Sequence, residues 1–274
     1  MTRIALLQMN AGIEPERNTR AIIDAIVEAK AGGAAMLFTP EMSALLDRDR
    51  DRADRHIIAE HENATLDKTR NACAQHGLWC ALGSIAVRHE SGRYANRSLV
   101  VDDTGAIKAR YDKIHMFDVD LANGESWRES KAYRAGKNVV TTHTPIGRLG
   151  LTVCYDIRFP ALFEALGQQK CDAIAIPAAF TVPTGRDHWH VLQRARAIEA
   201  SAYCIGAAQV GHHGDGRETF GHSLVIDPWG TVLLDMEKRT GLSFAEIDRN
   251  RVEDVRRQLP SLANRKPIAA GTGA

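Results

Sequence analysis

Short apolar runs alternate with helical periodicity along most of the chain. The runs are bounded by glycine, proline or polar residues, as strands are, and apolar residues three or four positions apart indicate helices. We predict strands over residues 3–9, 34–39, 78–87, 97–102, 139–142, 149–154, 171–177, 204–210, 222–227, 232–235 and 244–247. We predict helices from Pro15 to the glycines at 32–33, over 52–76, after Pro160, over 188–203 and over 251–259. This mixture predicts an α/β protein.

The order of these elements indicates one domain. No internal repeat, low-complexity block or linker divides residues 1–274. The late strands follow one another with few crossover helices, which favours two sheets with helices outside them. The segment 260–274 is polar and has no evident place in one core. We therefore expect it at an interface between copies of this chain, in a homodimer or a higher homo-oligomer.

Composition narrows the class of protein. Lys plus Arg is 35 and Asp plus Glu is 34, so the near balance gives no reason to expect nucleic acid or an anionic membrane as a partner. The apolar stretch 173–180 is too short to span a bilayer, and the first ten residues are typical of a strand rather than a signal peptide. Five cysteines without a CxxC pair favour free thiols in the cytoplasm.

Cys154 is the candidate nucleophile. It ends an apolar strand and is followed by Asp156 and Arg158, an abrupt change that a core strand seldom shows. A strand that ends in a turn before a helix presents one side chain at the edge of a sheet. The alternative is a buried small hydrophobe, the commonest fate of a free cysteine. A reactive thiol would also need a base or a cation, because only a few per cent is thiolate at neutral pH.

Two charged residues are candidates for activating that thiol. Glu41 follows a strand-like run and Pro40, where a desolvated carboxylate can act as a base. Lys113 precedes an apolar segment, and an inward-facing ammonium there can stabilise both a thiolate and a tetrahedral oxyanion. Taken singly, Glu41 is more often a solvated loop carboxylate and Lys113 a surface lysine.

In combination, these segments resemble the nitrilase superfamily. Pro-Glu at 40–41, YDKIHMFD at 111–118 and CYDIRFP at 154–160 have the order and spacing of its Glu-Lys-Cys set. ARAIE at 195–199 and GHS at 221–223 extend the resemblance over nearly the whole chain. The resemblance implies a four-layer α-β-β-α sandwich. It also implies hydrolysis of a non-peptide amide C–N bond through a thioester on the cysteine, with no cofactor and no metal.

The resemblance implies further site residues. The superfamily often carries a second glutamate after the lysine, and Glu129 fits this position best, with Glu125 as a competitor. The backbone N–H of Tyr155 is expected to hold the oxyanion together with Lys113. One departure is Ala161, where many relatives have glutamate. We expect a packing or salt-bridge position there, without an effect on catalysis.

The expected substrate is a small-molecule amide. Within the superfamily, residues 184–189, 209–213 and 221–230 resemble the amidases that act on deaminated glutathione. The rival interpretations are an ω-amidase acting on 2-oxoglutaramate and an N-carbamoyl amino-acid hydrolase, with a true nitrilase less favoured. Outside the enzymes, the alternative is a catalytically silent binding module, against which the retained Glu-Lys-Cys set argues.

Four residues are expected to bind the substrate. Tyr155 follows the nucleophile, and Arg186, His188 and His212 are expected in loops after strand-like segments, where substrate contacts usually lie. The alternative for the last three is a solvated loop residue. A zinc site at His212 and its neighbour His213 is not expected, because the spaced third ligand is missing.

Overall fold

The computed structural model describes residues 1–122 and 124–268. Its strands are β1 (Thr2–Gln8), β2 (Met36–Phe38), β3 (Trp79–Arg88), β4 (Tyr94–Val101), β5 (Ile107–Asp112), β6 (Asp118–Asp120), β7 (Ser126–Arg128), β8 (Thr141–Thr144), β9 (Gly147–Leu151), β10 (Ala173–Ala175), β11 (Tyr203–Gly206), β12 (Val210–His212), β13 (Glu218–Phe220), β14 (Leu224–Ile226), β15 (Val232–Asp235) and β16 (Gly241–Ile247). Its α-helices are α1 (Pro15–Ala31), α2 (Arg50–Asp54), α3 (Ala64–His76), α4 (Pro160–Gln168), α5 (Val182–Ala200) and α6 (Arg249–Gln258). Short 3-10 helices cover Glu60–Glu62, Glu129–Lys131 and Cys154–Arg158.

The long strands form two sheets of six strands each. The first has the order β16-β1-β2-β3-β4-β5 and the second the order β15-β14-β11-β10-β9-β8. Parallel pairing joins β1, β2 and β3 in the first sheet and β9, β10 and β11 in the second, whereas the outer pairs are antiparallel. The carboxyl ends of the parallel strands therefore lie at one edge of each sheet.

The burial pattern of β1 shows how the layers arise. Ile4 and Leu6 belong to the core between the two sheets, and Ala5 and Leu7 belong to the core beneath α1 and α3, because successive strand side chains point to opposite faces. Phe163 of α4 packs with the second sheet. Burying each large apolar side chain stabilises the fold by about 1.5–3 kcal/mol. The result is the four-layer sandwich that the sequence predicted.

One predicted helix, over 52–76, is wrong. The structure has α2, a 3-10 helix and α3 instead. The cause is local, because the side-chain oxygen of Asn63 accepts a hydrogen bond of 2.9 Å from the N–H of Leu66 and so begins a new helix. Periodicity over this polar stretch did not reveal the break.

The start of α5 also differs from the prediction. The helix begins at Val182, with Pro183 in its first turn, instead of at residue 188. Arg186 and His188 therefore lie on a helix, and their predicted placement in loops is wrong. Among the helices of residues 1–122 and 124–268, none combines the length and the apolar character needed to cross a membrane.

Candidate active site

Glu41 lies just beyond the carboxyl end of β2 in the first sheet. A Cβ at Gly83 would collide with the carbonyl oxygen of Thr39, so glycine allows β3 to approach the segment that leads to Glu41. The carboxylate is buried, and the N–H of Ala179, beyond β10 of the second sheet, donates to its Oε2 at 3.0 Å. The two sheets thus meet at this carboxylate.

Lys113 follows β5 and lies between two carboxylates. Its side chain is only 2% exposed. Its Nζ donates to Oε1 of Glu41 at 3.0 Å and to Oε2 of Glu129 at 2.9 Å. The N–H of Phe117 fixes Glu129 from the other side, at 2.7 Å from Oε2. A buried ammonium is stable only when it is paired in this manner.

Asn96 on β4 is a member of this cluster that the sequence analysis missed. Its side-chain amide donates to Oε1 of Glu41 at 2.9 Å and to Oε1 of Glu129 at 3.2 Å. Its backbone carbonyl accepts a hydrogen bond from the backbone N–H of Lys113 at 2.9 Å. It therefore holds both carboxylates and the backbone of the lysine. The sequence signal for Asn96 was a single amide side chain within an apolar strand. Such a signal is weak by itself.

Cys154 occupies a sharp turn after β9 of the second sheet. Its φ of 47° lies in the left-handed region, which costs a residue with a Cβ roughly 1–2 kcal/mol. Its N–H donates to the carbonyl of Pro177 at 2.9 Å. The buried carboxylate of Asp156 accepts from the N–H of Val153 at 2.9 Å and from the hydroxyl of Tyr111 on β5 at 2.7 Å. Asp156 thus ties the cysteine turn to the strand that leads to Lys113.

The charges at this site depend on one another. Burial raises the pKa of Glu41, but the charge and hydrogen bonds of Lys113 hold it below its ordinary value of 4.5. Burial and the neighbouring Glu41 charge raise the pKa of the Cys154 thiol well above 9.0, although Lys113 opposes them. Burial lowers the pKa of Lys113, yet the charges of Glu129 and Glu41 raise it well above 10.5. At neutral pH the site therefore holds a thiol beside a carboxylate, with a charged lysine.

A cavity of about 930 Å³ opens onto these groups. Its lining includes all four residues predicted to be catalytic, which are Glu41, Lys113, Glu129 and Cys154. A thiol, an adjacent carboxylate and a fixed cation are the groups that acyl transfer requires. Glu125 also lines the cavity, but it is Glu129 that contacts Lys113.

The predicted substrate-binding residues divide into two pairs. Tyr155 and His212 line the cavity, whereas Arg186 and His188 are not among the described residues of its lining. The side chain of Arg186 is 73% exposed and pairs with Asp187 at 3.0 Å. His188 accepts a hydrogen bond of 3.2 Å from Arg158. Both lie on α5, of which Thr184 does line the cavity.

The cavity also carries aromatic and cationic side chains that the sequence analysis did not single out. They are Tyr94, Phe117, Trp127, Tyr133, Phe180, Arg48, Arg50, Arg128 and Arg217. Asp120 pairs with Arg128 and Asp215 pairs with Arg217. Within residues 1–122 and 124–268, the side chains of Arg48 and Arg50 form no ion pair, and Arg50 donates to the backbone carbonyl of Arg128 at 2.9 Å.

The chain resembles known proteins over nearly its whole length. A family model described as carbon-nitrogen hydrolase matches residues 3–257. A deaminated glutathione amidase of Yersinia enterocolitica is 37% identical over 271 residues, which cover 97% of this chain and 94% of the relative. The crystal structure of the Caenorhabditis elegans NitFhit protein superimposes with a TM-score of 0.89 at 34% identity, covering 97% of this chain and 65% of that chain. Saccharomyces cerevisiae Nit3, a member of branch 10 of the nitrilase superfamily, shares the fold with a TM-score of 0.84 at 23% identity over 94% of each chain.

The chain belongs to the carbon-nitrogen hydrolase family, within the nitrilase superfamily. It is a hydrolase that acts on amide carbon–nitrogen bonds, and its substrate is a small-molecule amide. The predicted superfamily, fold and class of enzyme are confirmed. A catalytically silent binding module is not favoured.

Replacing Lys113 by methionine is expected to damage both activity and stability. The change leaves Glu41 and Glu129 buried without their shared cation. Breaking a buried ion pair costs about 3–5 kcal/mol, and loss of a fixed transition-state cation lowers kcat by roughly 10²–10³. Urea unfolding and steady-state rates at pH 7 measure the two effects.

The matched control is Lys108→Met on β5. The side chain of Lys108 is 45% exposed, and its ion pair with Asp102 is long, at 3.8 Å. Equal losses of stability and activity in Lys113→Met and Lys108→Met would contradict the role assigned to Lys113.

Proposed function

We propose that this enzyme hydrolyses deaminated glutathione, with Cys154 as the nucleophile, Glu41 as the base and Lys113 as the electrostatic stabiliser. The observation that carries the catalytic part is the contact of one buried lysine with both Glu41 and Glu129 at 3.0 and 2.9 Å, beside the thiol and at the wall of a cavity. Support for the substrate comes from relatives named deaminated glutathione amidase.

Acylation begins at the resting thiol. Sγ of Cys154 attacks the amide carbon while the carboxylate of Glu41 takes the thiol proton. The carbonyl electron pair moves to oxygen, and Lys113 together with the N–H of Tyr155 stabilises the oxyanion. When the oxyanion collapses, the C–N bond breaks and Glu41 gives its proton to the leaving amine. A thioester remains on Cys154.

Deacylation repeats this proton route with water. Glu41 takes a proton from the attacking water, the new C–O bond forms, and the tetrahedral oxyanion again faces Lys113. Collapse breaks the C–S bond, and Glu41 returns the proton to sulfur. Glu129 acts by holding Lys113, whose ammonium it contacts through both oxygens at 3.2 and 2.9 Å. The protein groups that this cycle uses all belong to residues that line the cavity.

The size and charge of the cavity suit this substrate. Deaminated glutathione places a Cys-Gly leaving group and two carboxylates around the scissile amide, so it needs more room and more cations than 2-oxoglutaramate. The cavity of about 930 Å³ is within the range of sites that bury a small organic ligand. Arg48, Arg50 and His212 at its wall can bind carboxylates, and Tyr155 and Phe117 offer apolar contact.

A rate comparison tests the substrate directly. We expect kcat/KM for deaminated glutathione to exceed the values for 2-oxoglutaramate, an N-carbamoyl amino acid and an aliphatic nitrile. Arg48→Ala should raise the KM for deaminated glutathione by about tenfold, the loss expected for one charge-assisted hydrogen bond. Its effect on 2-oxoglutaramate, which lacks the far carboxylate, should be small. The control is Arg186→Ala, which removes an exposed arginine paired with Asp187 outside the cavity.

Two outcomes would change this assignment. A wild-type preference for 2-oxoglutaramate at equal concentration would favour the ω-amidase while leaving the roles of Cys154, Glu41 and Lys113 unaffected. Equal KM changes for both substrates in Arg48→Ala would remove Arg48 as the residue that recognises the far carboxylate.

We also propose that the enzyme is at least a homodimer. Val191 and Ile198 lie seven positions apart on α5 and are 59% and 43% exposed, and Trp229, near Ile198, is 49% exposed. An apolar surface of this kind is typical of an interface.

The described part of the predicted interface segment contacts its own chain, since Arg265 pairs with Glu164 of α4. Residues 269–274 of the predicted interface segment lie outside the described residues. An active, stable monomer by light scattering would contradict the proposal.

A reducing compartment, the cytoplasm, is the proposed location. All five cysteines are free and buried. The proposed mechanism needs Cys154 as a thiol, and glutathione-poised compartments maintain that state. Fractionation of cells with an antibody to the protein tests the location.

A further inference from the structure

A second cluster of ionisable side chains lies outside the catalytic cavity. It consists of His190 on α5, His222 after β13 and Asp235 at the end of β15. Each residue offers one ligand atom, and the three atoms lie within 4.8 Å of one another. None of these residues belongs to the described lining of the catalytic cavity.

The distances within the cluster are close to those of a metal centre. Nε2 of His190 lies 2.9 Å from Oδ2 of Asp235, and Nδ1 of His222 lies 2.9 Å from Oδ1 of the same carboxylate. Ligand atoms on a tetrahedral zinc ion with bonds of about 2.0–2.2 Å are roughly 3.3–3.5 Å apart. Outward movements of a few tenths of an ångström therefore make room for an ion between the three side chains.

The side chains are held in place by neighbours that do not compete for the ion. The ring of His222 stacks on Phe220 with centroids 4.4 Å apart, and the ring of His190 packs edge-on against His222 at 5.1 Å. The N–H of Glu237 donates to Oδ1 of Asp235 at 2.8 Å. Fixed orientation of the ligating side chains by such outer contacts is what a metal site needs.

The backbone of His222 is also held in an uncommon conformation. Its φ is 53°, in the left-handed region, although it carries a Cβ. Its N–H donates to the carbonyl of Glu237 at 2.7 Å, and its carbonyl accepts from Nε1 of Trp189 at 2.7 Å. These bonds keep the imidazole directed at Asp235. Strained positions of this kind occur preferentially at functional sites.

The cluster is open to solvent on one side. The side chains of His190, His222 and Asp235 are 37%, 19% and 28% exposed. An ion can therefore enter, and water can occupy its remaining coordination positions. Two imidazoles and one carboxylate form a ligand set that zinc accepts, whereas calcium and magnesium prefer oxygen ligands.

From this geometry we infer that His190, His222 and Asp235 form a zinc site that joins α5 to β15. On binding, the proton on each ring nitrogen that faces Asp235 moves to the other nitrogen of the same ring, so that both histidines coordinate the ion as neutral imidazoles and the carboxylate remains ionised. The ion links helix α5 to strand β15 of the second sheet. The site stabilises the fold and takes no part in the proposed amide hydrolysis.

Metal binding to the full chain tests this inference without an activity assay. Because a thiol is itself a potential zinc ligand, all measurements use the Cys154→Ala background. Calorimetric titration with Zn²⁺ should give one ion per chain, and Co²⁺ should give the visible absorption of a four-coordinate ion. His190→Ala and Asp235→Asn should each weaken binding at least tenfold. The control is His61→Ala, because His61 is 83% exposed and has one acidic neighbour, Glu62.

A thermal melt separates loss of the site from loss of the fold. Without metal, Asp235→Asn should melt as a single cooperative transition, and saturating Zn²⁺ should raise the Tm of the background protein but not that of the variant. Unchanged affinity in both cluster variants, or an equal loss in His61→Ala, would show an adventitious ion only and overturn the inference. These measurements do not depend on turnover, so they test the zinc site independently of the proposed function.

Discussion

Replacing Cys154 by alanine is expected to abolish turnover, with kcat/KM lower by a factor on the order of 10⁴ or more, as for other catalytic nucleophiles. The side chain stands at a strained turn beside Glu41 and faces the cavity, and no other cysteine occupies such a position. Cys73, Cys80, Cys171 and Cys204 are fully buried at 0% exposure. Removing one sulfur atom at the cavity wall should leave the near-ultraviolet circular dichroism and the cooperative melt unchanged.

Alkylation identifies the same residue independently. Iodoacetamide should modify the native enzyme once, at Cys154, and the extent of modification should follow the loss of activity. The Cys154→Ala variant should take up no label under native conditions, which peptide mapping by mass spectrometry can show. Full activity in that variant, or labelling of a buried cysteine instead, would refute the assignment of the nucleophile.

Replacing Glu41 by glutamine is expected to lower kcat by a factor of roughly 10²–10⁴, the usual contribution of a general acid–base. Glutamine keeps the shape, and its single carbonyl oxygen can still accept the hydrogen bond of Lys113, but its NH2 group can accept neither the N–H of Ala179 nor the thiol proton. The control is Glu218→Gln, which changes a carboxylate of the cavity lining that lies 3.6 Å from His212. It should leave kcat near the wild-type value. A Glu41→Gln enzyme within tenfold of wild type would show that another group is the base.

The same variant separates the base from the nucleophile. The Glu41 charge raises the pKa of Cys154, so its removal lowers that pKa and increases the thiolate fraction at a given pH. Alkylation of Cys154 in Glu41→Gln should therefore be at least as fast as in the wild type, although turnover is lost. Alkylation that slows in parallel with turnover would indicate that glutamine has displaced the cysteine.

The pH dependence follows from the lowered pKa of Glu41. Because its folded-state pKa lies below the ordinary value of 4.5, the carboxylate is ionised throughout the neutral range. The rate should be level there and fall only as pH falls through that lowered pKa. The stability that this carboxylate gains from Lys113 is present above the unfolded-state pKa and is lost over the same acid range. A pH–rate profile and urea melts between neutral and acid pH measure the two changes.

The sequence by itself determined the elements and the local chemistry. The short apolar run along residues 3–9 and the helical periodicity after Pro15 depend only on neighbours in the chain, so β1 and α1 were predicted nearly to their ends. The abrupt change from apolar to charged residues at Cys154 marked the turn for the same reason. The motif segments at 40–41, 111–118 and 154–160 identified the superfamily, because their order and spacing do not require a known fold.

Tertiary structure decided which distant groups meet. Glu41 and Lys113 follow strands of the first sheet, and Cys154 follows a strand of the second, so the thiol reaches the other two groups only once the sheets pack face to face. Strand pairing within the first sheet brings Asn96 of β4 to the Glu41 carboxylate that follows β2. The fold places Arg48 at the cavity and leaves Arg186 outside it. Local periodicity carries no information on such distances, because burial of one sheet against another is set by the whole chain rather than by any one segment.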